Sequence, residues 1–275
     1  MQYTRIEKTD DFDPVKIFEC GQCFRWNADA RGGYTGVALG RAARVYIEND
    51  GIFISGGEEE YRDIWRGYFD MDRNYSELRK KLSVDDYTAG AAAFGTGIRI
   101  LKQDRWEALC SFIISQCNNI PRIKKIIETL CSAFGDELSF EGEKYRAFPP
   151  ADRIAALEPE DLAVLKCGYR AEYIISAARE VASGRLDLDA LALKSCAEAV
   201  TELKKLHGVG DKVANCVVLF GLQIPDAFPI DVWMKKALKE HYPPGFDPSV
   251  FGDAAGLAQQ YIFYYTRSGP GNGKQ

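Results

Sequence analysis

Up to about residue 75, apolar and polar residues alternate in short runs: Tyr34 to Leu39, Arg44 to Ile47 and Ile52 to Ile54. A period of two places one face of each run on a core and predicts strands. Asn49-Asp50-Gly51 predicts a hairpin turn between the last two runs, so the region reads as an antiparallel sheet. Beyond residue 75 the pattern is helical to near Thr266, with turns at Phe148-Pro149-Pro150, Gly184 and Pro243-Pro244-Gly245. The expected fold is α+β, mainly α. An N-terminal antiparallel β-sheet subdomain over 1–96 packs on a larger helical domain over 97–268, and the glycine-rich tail SGPGNGKQ is expected to be disordered from residue 269 onward. The chain has no internal repeat and no low-complexity linker.

One stretch of the helical half is more specific. Leu203 and Leu206 close one helical pattern, Gly208-Val209-Gly210 reverses the chain, and Val213, Ala214, Val217 and Val218 resume an apolar face. Glycine suits such a reversal because it tolerates positive φ and close backbone approach. This helix-hairpin-helix aims the free amides of a helix N-terminus outward, a site suited to phosphate and indifferent to base sequence.

Lys212 sits in the first turn of the second helix, where the positive end of the dipole disfavours an ammonium. Holding an amine uncharged near neutral pH costs about 4 kcal/mol, of which a helix terminus supplies at most ~2 kcal/mol. Desolvation must supply the remainder, so a nucleophilic Lys212 is expected to be substantially buried; the alternative is a solvated lysine on a phosphate. Asp231 follows Pro229-Ile230 and opens another helix. It reads as an ordinary N-cap, and a carboxylate held by backbone amides also suits a cationic transition state at a sugar carbon.

The stretch from Leu203 to Leu238 resembles the helix-hairpin-helix/Gly-Pro-Asp superfamily of DNA glycosylases, and the wider chain resembles its 8-oxoguanine DNA glycosylases. GQCFRW (Gly21 to Trp26), YFDMDRNYSELRKKL (Tyr68 to Leu82), GIRILKQDRWEALCSFIISQCNNIPRI (Gly97 to Ile123), CGYRAEYI (Cys167 to Ile174) and AQQYIF (Ala258 to Phe263) follow that family in order and spacing. The resemblance implies a TATA-binding-protein-like sheet and an enzyme that excises 8-oxoguanine, preferentially opposite cytosine, and then acts as an AP lyase. It assigns Lys212 as the nucleophile at C1′ that forms a Schiff base, and Asp231 as the carboxylate assisting departure of the base. It assigns the carbonyl of Gly21 to the hydrogen on N7 of 8-oxoguanine, which guanine lacks. Gln259 then meets the pyrimidine edge, and Cys216 and Phe263 sandwich the base; Cys216, four residues after Lys212, shares its helix face. Base flipping leaves a gap to fill, and Cys117, Asn118, Asn119, Arg122, Tyr169 and Arg170 match that task. Tyr169 is the wedge, and the two arginines are partners of the orphaned cytosine; on residue type alone they are a helix-end packing residue and surface charges. The hairpin Gly208, Val209 and Gly210 matches the DNA-backbone contact.

Two positions depart from the family pattern. Cys117 stands where an asparagine commonly fills the void, and a thiol donates only weakly, so a looser grip on the opposite strand is expected. Trp233 stands where some relatives carry a histidine.

A chain of 275 residues, 46% hydrophobic, can bury a sizeable core. No apolar run approaches the ~18 residues of a membrane span, and MQYTRIEKTDDF is too polar and acidic for a secretory signal. The expectation is a cytoplasmic monomer, nucleoid-associated if bacterial, whose partner is double-stranded DNA containing oxidised guanine. The net charge of −5 opposes generic DNA binding, but Arg122, Lys124, Lys125, Arg170, Lys204 and Lys205 lie in or beside the DNA-contacting segments. Eight cysteines and two histidines provide one CxxC, Cys20 and Cys23, without a second pair, so no side-chain metal site is expected. No cysteine follows Cys216, which disfavours the C-terminal iron–sulfur loop of related glycosylases. The one cofactor left open is a monovalent cation held by hairpin carbonyls. Two other readings also stand: a related base-excision glycosylase with a different lesion preference, and a non-catalytic helix-hairpin-helix DNA-binding protein.

Overall fold

The computed structural model describes residues 2–9 and 11–270. Five antiparallel strands, β1 (Tyr3–Glu7), β2 (Trp26–Ala28), β3 (Tyr34–Ala38), β4 (Arg41–Glu48) and β5 (Gly51–Ser55), are ordered β1-β5-β4-β3-β2. β4 and β5 meet through Asn49-Asp50, with Val45 opposite Ile54 and Ile47 opposite Ile52. The alternation that predicts these strands is what places Val45, Ile52 and Ile54 in the core.

That core is largely aromatic. The Phe18 and Trp26 rings stack at 4.4 Å, and the Trp26 indole donates to the Tyr68 hydroxyl at 2.8 Å. Helix Pro14–Glu19 and the helical segment 58–68 cover the sheet; both stand in the part of the chain read as strands only. β1 carries no such signal, because its buried residue is Thr4 and its pattern has little apolar contrast.

The second core is helical and contains Leu109, Ile113, Leu130, Ile174, Val217 and Ile262. Helices Tyr75–Lys80 and Asp86–Phe94, on the N-terminal side of residue 96, lodge their Leu78, Ala91 and Ala92 here rather than under the sheet. The run read as helical is interrupted by a two-stranded hairpin, Glu137–Phe140 with Glu143–Arg146. Only Phe140 of that hairpin is buried, so no apolar face announced it. Glu141 at its turn accepts from Tyr3 at 2.6 Å and from Arg31 at 2.6 Å, tying it to the sheet subdomain. No helix among the described residues is long and apolar enough to cross a membrane. Of the expected disordered tail, 271–275 lie outside the described residues; helix Ala255–Ser268 ends just before it.

Candidate active site

The elements that build the site meet at one open cleft of about 1290 Å³. Helix Asp211–Phe220 follows the hairpin, in which Gly208 has φ +79 and any Cβ would lie 2.2 Å from the Tyr173 ring, so both conformation and space require glycine. Gly210 is the N-cap and offers no side chain, so the amides of the first turn have no capping partner. Val209 is buried beneath the turn.

Lys212 Nζ donates to Ser115 Oγ at 2.8 Å and lies 5.5 Å from the centre of the Phe112 ring. Ser115 Oγ in turn donates to the Phe112 carbonyl at 2.8 Å, which orients its lone pairs to the amine. Lys212 is half-buried, less than a fully desolvated amine requires; in the free protein its pocket opens to the cleft. Asp231 is the N-cap of helix Val232–His241, where its Oδ1 accepts from Met234 N at 2.9 Å. Oδ2 has no partner among the described residues, and the carboxylate faces the same cleft.

Cys216, one turn after Lys212, is buried on the cleft wall. Burial raises its thiol above the usual range; the Lys212 charge pulls it back, while Asp231 pushes it further up. A neutral thiol at neutral pH is an apolar wall and not a rival nucleophile. Helix Ala255–Ser268 contributes Gln259, Phe263 and Arg267 at intervals of four, one stripe facing the cleft. Gln259 is 5% exposed, and its Oε1 is buried without a hydrogen-bond partner. An unpaired buried amide oxygen is costly, and this one lines a cleft that a ligand donor can enter. Gly21, with φ +86, lies against the Phe263 ring, and its carbonyl accepts no hydrogen bond among the described residues.

The turn after helix Arg105–Ile114 carries Cys117, Asn118 and Asn119 along the cleft. Asn119 caps helix Ile120–Phe134 by accepting from Arg122 N at 3.0 Å, and Asn118 Nδ2 donates to the Ile114 carbonyl at 3.2 Å. Cys117 is exposed with φ +46, a left-handed conformation that asparagine tolerates better than most residues. Tyr169 is half exposed and packs at 5.4 Å on Tyr173.

The two arginines differ from each other. Arg170 is 5% exposed. Its Nε donates to the Gln116 carbonyl at 3.0 Å, its Nη1 to that of Cys167 at 3.0 Å, and its Nη2 to those of Gln116 and Cys117. It is therefore a strut between the two turns and not the surface charge its residue type suggested. Arg122 remains exposed, with one bond from Nη2 to the Lys166 carbonyl at 3.2 Å.

Other expected cations are also paired: Lys204 with Asp211 at 2.6 Å, Lys205 with Glu202 at 2.7 Å, and Lys124 with the Trp26 carbonyl at 2.9 Å. The lysine pairs with Asp211 and Glu202 are exposed and worth little, so phosphate can displace them. Ser115, Gln260, Lys235, Lys236 and Arg267, none of them singled out from the sequence, also line the cleft. The adjacent Lys235 and Lys236 carried the one available signal, since they follow Asp231 closely in the first turns of its helix.

Comparison with known proteins agrees with this geometry. Residues 5–109 match the family described as 8-oxoguanine DNA glycosylase, N-terminal domain, and residues 110–249 match the HhH-GPD superfamily base excision DNA repair protein. The chain is similar to the N-glycosylase/DNA lyase of Saccharomyces cerevisiae, 32% identical over 83% of this chain and 68% of the relative. It is also similar to a DNA-3-methyladenine glycosylase of Bacillus subtilis, 36% identical over 60% of this chain and 55% of the relative. Among solved structures, the apo 8-oxoguanine glycosylase/lyase of Clostridium acetobutylicum superposes with a TM-score of 0.92 at 38% identity, covering 96% of each chain. The same enzyme with double-stranded DNA containing cytosine opposite 8-oxoguanine gives 0.88 at 37% identity, over 96% of this chain and 97% of that one. Tyr169, Arg170, Gly208 and Val209 stand outside the cleft lining, while the other assigned residues line it; with both of its structural units matched, the chain belongs to the 8-oxoguanine DNA glycosylase family of the HhH-GPD base excision repair superfamily.

Proposed function

We propose that this DNA N-glycosylase/lyase, acting on 8-oxoguanine in duplex DNA, does its chemistry through Lys212 and Asp231. The observation that carries the reading is the buried, unpartnered Oε1 of Gln259 in the same cleft as Lys212, an acceptor with room for a base edge and none in the protein. The flipped base slides between Cys216 and Phe263, presents its pyrimidine-edge donors to Gln259 and its N7 hydrogen to the Gly21 carbonyl. The Lys212 amine attacks C1′, the glycosidic bond breaks, and the base leaves with the bonding electrons. Asp231 stabilises the positive charge that builds on the sugar. The attached nitrogen gives up a proton, the C1′–O4′ bond opens with the ring oxygen taking a proton, and the Schiff base so formed acidifies C2′; loss of that proton expels the 3′ phosphate. Bound DNA closes the mouth of the cleft and supplies the desolvation that the half-buried Lys212 lacks in the free protein.

The first-turn amides after Gly210 suit a backbone phosphate. The carbonyls of His207 and Val209 accept no hydrogen bond among the described residues and suit a monovalent cation that would brace the hairpin. In this reading Tyr169 wedges into the stack and Arg122 meets the orphaned cytosine, while Arg170, expected from the sequence as a second partner of that cytosine, spends its donors on the turn that carries Cys117.

The substrate test is single-turnover base release from duplexes containing 8-oxoguanine opposite cytosine, 3-methyladenine opposite thymine, or no lesion. Fastest release of 8-oxoguanine is expected, by on the order of 10²-fold or more over the alkylated base, because Gln259 and Gly21 are built for its donors. Faster release of 3-methyladenine would overturn the substrate and favour the relatives that act on alkylated bases.

Two substitutions probe single positions. Gly21→Ala puts a Cβ 3.3 Å from Phe263 Cε1 and Arg267 Nη1, at a φ that costs an ordinary residue ~1–2 kcal/mol. Excision of 8-oxoguanine should drop about tenfold or more, measured by single-turnover kinetics with circular dichroism confirming the fold. Cys117→Asn relieves the left-handed strain and restores a strong donor. It should leave Tm equal or slightly raised and increase the preference for cytosine, read from excision rates with all four opposite bases; an unchanged preference would remove Cys117 from the opposite-strand contact.

A further inference from the structure

We infer that Gln260 and Arg267 are positioning residues that hold the lesion-reading carbonyl of Gly21 in place, an inference that rests on the role proposed above for that carbonyl. Three consecutive carbonyls lead off helix Pro14–Glu19, and they are treated differently. Arg267 Nη2 donates to the Glu19 carbonyl. Gln260 Nε2 donates to the Cys20 carbonyl at 2.7 Å. The Gly21 carbonyl is left without a donor among the described residues. Both clamping side chains come from the helix that also carries Gln259 and Phe263. The loop that reads one edge of the base is thus tied to the helix that reads the other edge and stacks on its face.

The two grips differ in kind. Gln260 is 2% exposed and acts as a fixed internal strut. Arg267 is half-buried, and its guanidinium carbon lies 5.1 Å from the Phe263 ring centre and 5.8 Å from that of Tyr264. Its Nη1 is buried without a partner, beside the space where a Gly21 side chain would stand. Gln22 anchors the chain beyond Gly21, its Nε2 donating to the Ile17 and Arg99 carbonyls and its Oε1 accepting from Leu101 N; on the near side no hydrogen bond among the described residues besides these two ties the Glu19 and Cys20 carbonyls to the helix, and without them a residue at φ +86 can rotate its peptide plane away from the cleft. Discrimination needs one carbonyl oxygen within hydrogen-bond reach of one hydrogen, so a rotation of that size is enough to lose it.

An abasic site has no base to read, so its cleavage needs Lys212 but not the Gly21 carbonyl. The experiment therefore compares two rates in wild type, Arg267→Met, Arg267→Lys and Gln260→Leu. One is single-turnover release of 8-oxoguanine opposite cytosine; the other is strand cleavage at a preformed abasic site. Arg267→Met and Gln260→Leu should lose about tenfold to a hundredfold in base release, with abasic cleavage changed by less than about threefold, and Arg267→Lys, which keeps a charged donor group, should recover part of the loss. Equal loss of both rates, or no loss of base release, would overturn the clamp. If the wild type cleaves abasic DNA but does not release 8-oxoguanine, the substrate reading itself has failed, and the clamp with it.

Discussion

Replacing Lys212 with glutamine should abolish strand cleavage and lower base release on the order of 10³-fold or more, because the covalent route is closed while the binding groups stay. Glutamine keeps a polar head within reach of Ser115 Oγ, which accepts from the lysine at 2.8 Å in the native protein. The helix and the Phe112 wall need not rearrange, so duplex affinity should change by less than about tenfold. Gel-shift binding and single-turnover kinetics on the same preparation separate the two. A variant that binds DNA normally and still cleaves would reduce Lys212 to a phosphate contact. Binding weakened in proportion to the lost rate would reduce it in the same way.

Asp231→Asn separates a cap from a charge. Asparagine and aspartate cap helices about equally well, whereas alanine costs ~1 kcal/mol. The Asn variant keeps an acceptor for Met234 N, now at 2.9 Å from Oδ1, so its melting temperature should stay near wild type while Asp231→Ala melts lower. Base release should fall about 10²-fold to 10³-fold in both, since both lose the negative charge facing the sugar. Near-wild-type release by the Asn variant would mean that Asp231 is a cap alone.

What was legible in the sequence was local. Asp231 could be read as a helix start because an N-cap is a matter of three or four residues, and it does accept from Met234 N. Gly208 could be read as a turn because glycine tolerates positive φ and close approach, and it does sit at φ +79 against the Tyr173 ring. Family resemblance then placed Gln259, Phe263, Cys216 and Gly21 around one base, and they do line one cleft.

What stayed hidden is held together by contacts distant along the chain. Ser115 meets Lys212 across 97 residues, Gln260 meets Cys20 across 240, and Arg267 meets Glu19 across 248. No local pattern records such pairs. Arg170 differs from its residue type for the same reason: its text is that of an exposed helix start, and only the fold brings the distant carbonyls of Gln116 and Cys117 to it. The hairpin at Glu137–Arg146 has too little buried apolar surface to show a strand period.

The desolvation requirement at Lys212 connects these levels. A helix terminus supplies only part of the ~4 kcal/mol that an uncharged amine costs, and Lys212 is half-buried in the free protein. In the proposed scheme the bound, flipped base completes the desolvation, so activation and substrate binding are one event.

The most direct measurement is peptide mapping by mass spectrometry after borohydride reduction of wild-type protein on a duplex with 8-oxoguanine opposite cytosine. The expected result is a deoxyribose remnant on the peptide containing Lys212, formed at a rate that matches base release. A remnant on any other residue, or base release with no remnant at all, would contradict covalent catalysis by Lys212.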